Sequence, residues 1–106
     1  MPIVSRAFVD QAQLAAEIIR IESTLKPSVV RIKATLGEDS SGDPAIYFRV
    51  LLSDAASKPA RLGDVARRVR SMIVDELDPF NNWGVYPYVR FRSESEQALM
   101  KDPDWK

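Results

Sequence analysis

The chain contains neither cysteine nor histidine among its 106 residues. The lack of cysteine excludes disulfides, zinc–thiolate sites, iron–sulfur clusters and cysteine nucleophiles. The lack of histidine removes the commonest general base near neutral pH and the commonest transition-metal ligand. An enzyme would depend on carboxylate, lysine, tyrosine or serine side chains, and their spacing indicates no nucleophile–base pair. We therefore expect a non-catalytic protein without cofactor or metal, with a small enzyme as an alternative.

The sequence also lacks an excess of either charge, a long apolar run and a signal-peptide pattern. Fifteen basic and fifteen acidic residues cancel, so binding to nucleic acid or an anionic membrane would require a local patch. No apolar segment is long enough to cross a bilayer, and residues 1–8 do not resemble a secretory signal. The hydrophobic content of 45% is typical of a globular protein. We expect one cytoplasmic α+β domain over residues 1–106, irregular at 1–9 and at 101–106, the latter unless Trp105 docks against the domain.

Two stretches have the apolar spacing of helices. The first begins after Asp10, whose side chain can cap a helix, and ends before Pro27. Its apolar residues recur at intervals of four, three and four, at Leu14, Ile18, Ile21 and Leu25. This stripe indicates a helix lying on a sheet, because a helical seam between subunits would have barely two heptads. The second helix is predicted over residues 61–77, with an apolar face of Leu62, Val65, Val69, Met72, Ile73 and Leu77.

Three segments have the alternation of β-strands. Residues 30–36 form the first, and a polar turn at 37–44 leads into the second at 45–52. The second strand is the most apolar segment, with Ile46, Phe48, Val50 and Leu52 on one side. The third strand is predicted over residues 85–92. Because Pro87 cannot donate a hydrogen bond to a neighbouring strand, the third strand is expected at an edge or with a break.

The elements follow the order helix, strand, strand, helix, strand. The short loop predicts an antiparallel hairpin, and a right-handed crossover makes the third strand parallel to the second. The simplest arrangement is a two-layer α+β sandwich with strand order 3-1-2 and both helices on one face of the sheet. This outline resembles a ferredoxin-like fold without its first strand, and its element order resembles the cytoplasmic domain of cation-efflux transporters. The resemblance implies the fold alone, because no metal-binding motif is matched.

The sheet face turned away from the helices is the candidate binding surface. Its predicted members are basic or aromatic and come from all three strands: Arg31, Lys33, Tyr47, Arg49, Tyr86, Tyr88, Arg90 and Arg92. Such a face can be structural and solvated, or it can bind a protein partner, since tyrosine and arginine are enriched in interfaces. It can also bind nucleic acid by holding phosphates and stacking bases. Because the chain has no net positive charge and no RNA-binding motif, nucleic acid is the alternative partner.

Two other charged groups are expected to be ordinary surface. The carboxylates of the predicted turn, Glu38, Asp39 and Asp43, lack the spacing of a calcium loop. They are expected to belong to a hydrophilic hairpin turn in which Ser41 and Asp43 bond to nearby backbone. The arginines of the second helix are Arg61, Arg67, Arg68 and Arg70. They spread around its polar side, which favours a solvated helix face over a binding stripe.

The predicted edge position of the second strand favours self-association. A long apolar strand at an edge invites pairing with another copy, and Leu51 adds an apolar side chain to the outward face. The sequence therefore predicts a homodimer, formed by edge pairing or through the outward face. Its predicted role is that of a protein-interaction or assembly module.

Overall fold

The computed structural model describes residues 8–105 and shows an α+β fold with a three-stranded mixed sheet. In chain order the elements are α1 (Gln11–Thr24), β1 (Val29–Glu38), β2 (Pro44–Leu52), α2 (Pro59–Arg70), a π-helical stretch (Ser71–Leu77), α3 (Pro79–Trp83), β3 (Tyr86–Ser93), α4 (Glu94–Met100) and a 3-10 turn (Pro103–Trp105). Residues 1–7 and Lys106, which belong to the terminal stretches predicted to be irregular, lie outside the described residues. Within the described part, no helix is both long and apolar enough to span a membrane.

Helix α1 begins where the sequence predicts. The Asp10 side chain accepts a hydrogen bond from the Gln13 N–H at 3.0 Å, which satisfies a backbone donor of the first turn. Leu14 and Ile21 on the apolar stripe are buried, whereas Ile19 beside the stripe is 62% exposed. The stripe is therefore buried within the chain and does not form a seam between subunits.

The strand order is β1-β2-β3, so the predicted order 3-1-2 is wrong. Strand β2 lies in the middle, antiparallel to β1 and parallel to β3. A crossover helix fixes the relative direction of the strands it joins but not which strand lies between them. With β2 central, the most apolar strand pairs its backbone on both sides. The observed order also leaves Pro87 on an edge strand, where a missing N–H is tolerated.

The core lies on one side of the sheet. The inward side chains of β2, which include Ile46, Phe48 and Val50, have no exposed surface. They belong to one cluster with Leu14 and other buried residues of α1, and with Val69 and other buried residues of α2 and the π-helical stretch. Full burial of an aromatic such as Phe48 contributes about 1.5–3 kcal/mol. The buried residues of both helices and the inward residues of the sheet thus form one core.

The second helix covers the predicted residues 61–77, but its last turns are π-helical. Its end is marked by Asp78, whose N–H donates to the Ile73 carbonyl, five residues back, at 3.1 Å. Asp78 has a left-handed backbone (φ 50°), and its side chain accepts from the Asn81 N–H at 3.4 Å. The same residue therefore ends one helix and caps α3.

The end of the chain is ordered. Ser93 and Glu96 form a capping box at the start of α4, where they exchange hydrogen bonds at 3.1 and 2.9 Å. The tail after α4 was expected to be irregular unless Trp105 docks. Trp105 ends a 3-10 turn and is 7% exposed, so the ring is docked and this part of the tail is ordered.

Candidate binding surface on the open sheet face

The strand register places the predicted surface residues in rows across the sheet. One row contains Thr35, Tyr47 and Tyr88, the next contains Lys33, Arg49 and Arg90, and a third contains Arg31, Leu51 and Arg92. These side chains lie opposite the buried ones along each strand, on the side that we call the open face. The eighth predicted residue, Tyr86, is aligned with Ala45, beyond the first row.

The middle row is a line of three basic residues, which we call the cation row (Lys33, Arg49 and Arg90). Neighbouring strands are about 4.8 Å apart, so the three backbone positions span roughly 10 Å. Arg49 donates to the Thr35 hydroxyl at 2.7 Å. Within residues 8–105, no carboxylate forms an ion pair with any of the three. Because like charges placed opposite each other destabilise a sheet, this row favours an anion bound from outside.

Tyr47 and Tyr88 stack next to the cation row, with ring centroids 5.4 Å apart and planes inclined by 21°. The Tyr47 ring also lies close to the backbone at Gly37, where an added Cβ would lie 3.6 Å from ring carbon Cε2. The Tyr47 hydroxyl donates to the Glu38 carbonyl at 2.7 Å. Tyr47 is therefore enclosed between Gly37 and Tyr88, whereas Tyr88 is 41% exposed.

The acidic turn holds the second tyrosine in place. The Tyr88 hydroxyl donates to Asp39 Oδ2 at 2.9 Å. Asp39 Oδ1 accepts from the N–H groups of Ser41 and Asp43 at 2.9 and 3.0 Å. The turn is thus held by a side chain bonding to nearby backbone, but the side chain is that of Asp39 and not those of Ser41 and Asp43, which were predicted. Among the described residues, no group of three or more acidic side chains is arranged to hold a metal ion.

These contacts shift two pKa values in opposite directions. The hydrogen bond from the Asp43 backbone, supported by those from Tyr88 and Ser41, lowers the pKa of the Asp39 carboxyl. The hydrogen bond to Asp39 raises the pKa of the Tyr88 hydroxyl, since ionisation would remove the donated proton. The Asp39 shift is thus due mainly to the backbone of the turn, and the Tyr88 shift to its hydrogen bond with Asp39. Neither shift identifies an acid or base for catalysis.

Two predicted residues are directed away from the cation row. The Tyr86 ring packs against Phe80, with centroids 4.8 Å apart. The Arg92 guanidinium carbon lies 4.4 Å from the centre of the Trp105 ring, and Nη1 lies 3.5 Å from Asp102 Oδ2. Thr35, Asp102 and Trp105 were not predicted as part of this surface. Thr35 alternates with predicted residues along β1, whereas only the tertiary fold brings the other two to Arg92.

The arginines of the second helix do not form a shared site. Arg61 donates to the Ser28 hydroxyl at 3.2 Å, and Arg67 pairs with Asp64. Arg70 lies over the Phe91 ring at 5.4 Å. The four side chains are therefore distributed as expected for a helix surface, with one of them beside β3.

A cleft of about 350 Å³ follows the free edge of β3. Arg70 and Val74 line its helical side, and Tyr88 and Arg90 line its sheet side. Comparison with protein-family models, curated proteins and solved structures finds no match to this chain. The geometry of the open face is therefore the basis for the proposed function.

Proposed function

We propose that the chain is a non-catalytic interaction module whose open face binds an acidic segment of another protein. The observation that carries the proposal is the cation row, three aligned basic side chains with no carboxylate partner within residues 8–105. Carboxylates of a partner would relieve the repulsion between the cations, and arginine binds carboxylates through paired hydrogen bonds. The proposal assumes the two layers of the predicted ferredoxin-like sandwich, one of helices and one formed by the sheet. In that arrangement no helix covers the open face, so a partner can reach it.

A protein partner accounts for the surface better than nucleic acid does. Sheets that bind single strands stack bases on several free aromatic rings. Here Tyr47 is enclosed and Tyr86 packs against Phe80. The exposed ring of Tyr88 beside Arg90 is the observation that favours nucleic acid, and we keep it as the second candidate.

Fluorescence anisotropy with two labelled probes tests the proposal. The probes are a glutamate-rich decapeptide and a ten-residue oligothymidylate, which differ in chemistry but have similar negative charge. We expect the peptide to bind, and the double variant Arg49→Glu/Arg90→Glu to weaken its binding at least tenfold, which is about 1.4 kcal/mol. The matched control is Arg67→Glu/Arg68→Glu, which changes the net charge equally on the surface of α2.

The control separates the proposal from general electrostatic attraction. Equal losses in the two double variants would show that the peptide responds to net charge and not to the cation row. Tighter binding of the oligothymidylate, reduced by Tyr88→Ala, would instead support nucleic acid.

The homodimer remains a separate prediction. The observed sheet edges support it less than the predicted strand order did. Strand β2, expected at an edge, is central. On β1 the Ile32 N–H donates to the Glu22 carboxylate at 2.7 Å, so a side chain occupies that edge position. Edge strand β3 contains Pro87, which has no N–H. Sedimentation equilibrium at tens of micromolar tests self-association, and a pure monomer would exclude the dimer at that concentration.

A further inference from the structure

The segment after α4 folds back onto the open face. Lys101 has a left-handed backbone (φ 53°), which ends the helix and reverses the chain. Gln97 Nε2 donates to the Asp102 carbonyl at 2.7 Å, and the Trp105 N–H donates to the same carbonyl at 3.1 Å. The Asp104 N–H donates to Asp102 Oδ1 at 3.0 Å. These bonds hold residues 102–105 in a compact turn with the indole at its end.

This turn presents a carboxylate and an aromatic ring to a basic side chain of the open face. The Trp105 ring lies against the Arg92 guanidinium at 4.4 Å, and Asp102 Oδ2 lies 3.5 Å from Arg92 Nη1. Arg92 Nη1 also donates to Gln97 Oε1 at 2.9 Å. With these contacts the Arg92 side chain is only 16% exposed. The chain thus already contains, against its own surface, the kind of segment that the cation row would attract.

The backbone position of Arg92 is next to the cation row, although its side chain is turned toward Asp102 and Trp105. It is two residues beyond Arg90 on β3, which corresponds to roughly 7 Å along the strand. The turn therefore covers one end of the basic surface, while Lys33 and Arg90 stay exposed.

The contacts of this turn are not those of a core element. Trp105 is buried but is not a member of the main hydrophobic cluster. Helix α4, which carries the turn, has no buried residue. Its attachments to the rest of the fold are polar, such as the hydrogen bonds from Ser95 to Asp54 at 2.6 and 2.9 Å. A contact of this kind can be exchanged for an equivalent one without opening the core.

We infer that residues 102–105 act as an intrachain ligand for the Arg92 end of the open face, and that the partner competes with them. The inference rests on the proposed function and makes the partner class narrower. The partner is an acidic segment that carries an aromatic residue shortly after a carboxylate, as in Asp102 to Trp105 of this chain. When it binds, it displaces the turn, and Arg92 becomes a fourth basic contact beside the cation row.

Competition is tested in the 106-residue chain with peptides whose terminal charges are blocked. The probe is a labelled Lys-Asp-Pro-Asp-Trp peptide, and its control has asparagine at both acidic positions and alanine in place of tryptophan. We expect Trp105→Ala to bind the probe at least fivefold more tightly than the wild type, because the competing indole is gone. The additional change Arg92→Gln should cancel that gain. The control peptide should bind neither form.

Tryptophan fluorescence reports displacement directly. Trp83 is 8% exposed and belongs to the core, so its emission provides a constant background. When the wild type is saturated with an acidic peptide containing phenylalanine, we expect a red shift and greater acrylamide quenching, since Trp105 leaves its site. A Trp105→Phe variant, which keeps an aromatic ring, should lose this change in emission and still bind the peptide.

The outcomes distinguish failure of this inference from failure of the proposed function. If binding of the glutamate-rich peptide depends on Arg49 and Arg90, but Trp105→Ala leaves the affinity for the probe unchanged and saturating peptide leaves the wild-type emission unchanged, the turn is only structural and the inference is wrong. If no peptide binds any variant, the proposed function fails first. If circular dichroism shows that Trp105→Ala is unfolded, Asp102→Asn/Asp104→Asn replaces it in the same test. We expect this variant to bind the probe more tightly than the wild type, and unchanged binding would contradict the inference.

Discussion

At the scale of single residues, the 2.9 Å hydrogen bond between Tyr88 and Asp39 links the acidic turn to the open face. The two groups have opposite pH dependence: the backbone of Asp43, with a smaller contribution from Tyr88, lowers the Asp39 pKa, whereas Asp39 raises the Tyr88 pKa. The Asp39 pKa is lowered, so its stabilising effect is present above the ordinary carboxyl pKa and is lost as pH falls through the lower folded value. The Tyr88 pKa is raised, so its effect is present below the ordinary tyrosine pKa and is lost as pH rises through the higher folded value.

The first prediction follows from this contact. In an ultraviolet titration of the folded chain, one tyrosine should ionise above the ordinary value of about 10. In Asp39→Asn this phase should move to lower pH, because the charged acceptor has been removed, and in Tyr88→Phe it should be missing. Asp54→Asn, a change at a distant carboxylate, is the control and should leave the phase in place. A late phase that persists in Asp39→Asn would show that the contact does not control Tyr88.

The second prediction concerns the cation row, where binding and stability should oppose each other. Arg90→Thr removes a positive charge aligned with Arg49 and introduces a residue that favours strands. We expect the free energy of unfolding in urea to rise by about 0.2–1 kcal/mol, while affinity for the glutamate-rich peptide falls.

Arg31→Thr is the matched control for Arg90→Thr, since Arg31 is paired with the apolar Leu51 and not with a cation. It should give a smaller gain in stability. If Arg90→Thr destabilises the chain more than Arg31→Thr does, the row is not under electrostatic strain, and the main argument for an external anion is lost.

At the scale of elements, the central strand organises the fold. Phe48 has no exposed surface and lies in the core between the sheet and the helices. We predict that Phe48→Ala lowers the free energy of unfolding by about 3–5 kcal/mol, the usual loss for a large aromatic in a core. Leu36, on the inward side of β1 but 45% exposed, provides the comparison, and Leu36→Ala should lower it by about 1 kcal/mol or less. Both free energies are measured by chemical denaturation. Similar losses for Phe48→Ala and Leu36→Ala would contradict the central position of β2.

The same strand shows what the sequence could and could not predict. The alternation of Ile46 with Tyr47 assigns each side chain to a face without knowledge of its neighbours, so the membership of the open face could be predicted. Which residues of the open face align in one row across the strands could not be predicted. With the expected order 3-1-2, Tyr47 and Tyr88 would lie two strands apart and could not stack. The pairing of Tyr47 with Tyr88 and the central place of Arg49 depend on which strands are adjacent, and local periodicity does not contain that information.

At the scale of the whole molecule, the chain has a buried face and an open face with different chemistry. The buried residues of the helices and the inward side chains of the sheet belong to one hydrophobic cluster. The open face carries the basic and aromatic residues, and its far end is covered by the turn that contains Trp105. That contact joins β3 to a segment more than ten residues further along, and no short sequence pattern encodes it.

The most direct test of the account is a titration of the ¹⁵N-labelled chain with the unlabelled glutamate-rich peptide, followed by amide chemical shifts. The account predicts that the largest changes cluster at Lys33, Arg49 and Arg90 on the three strands, with smaller changes on α2. Changes centred on Arg67 and Arg68 of α2, or no changes at saturating peptide, would contradict it.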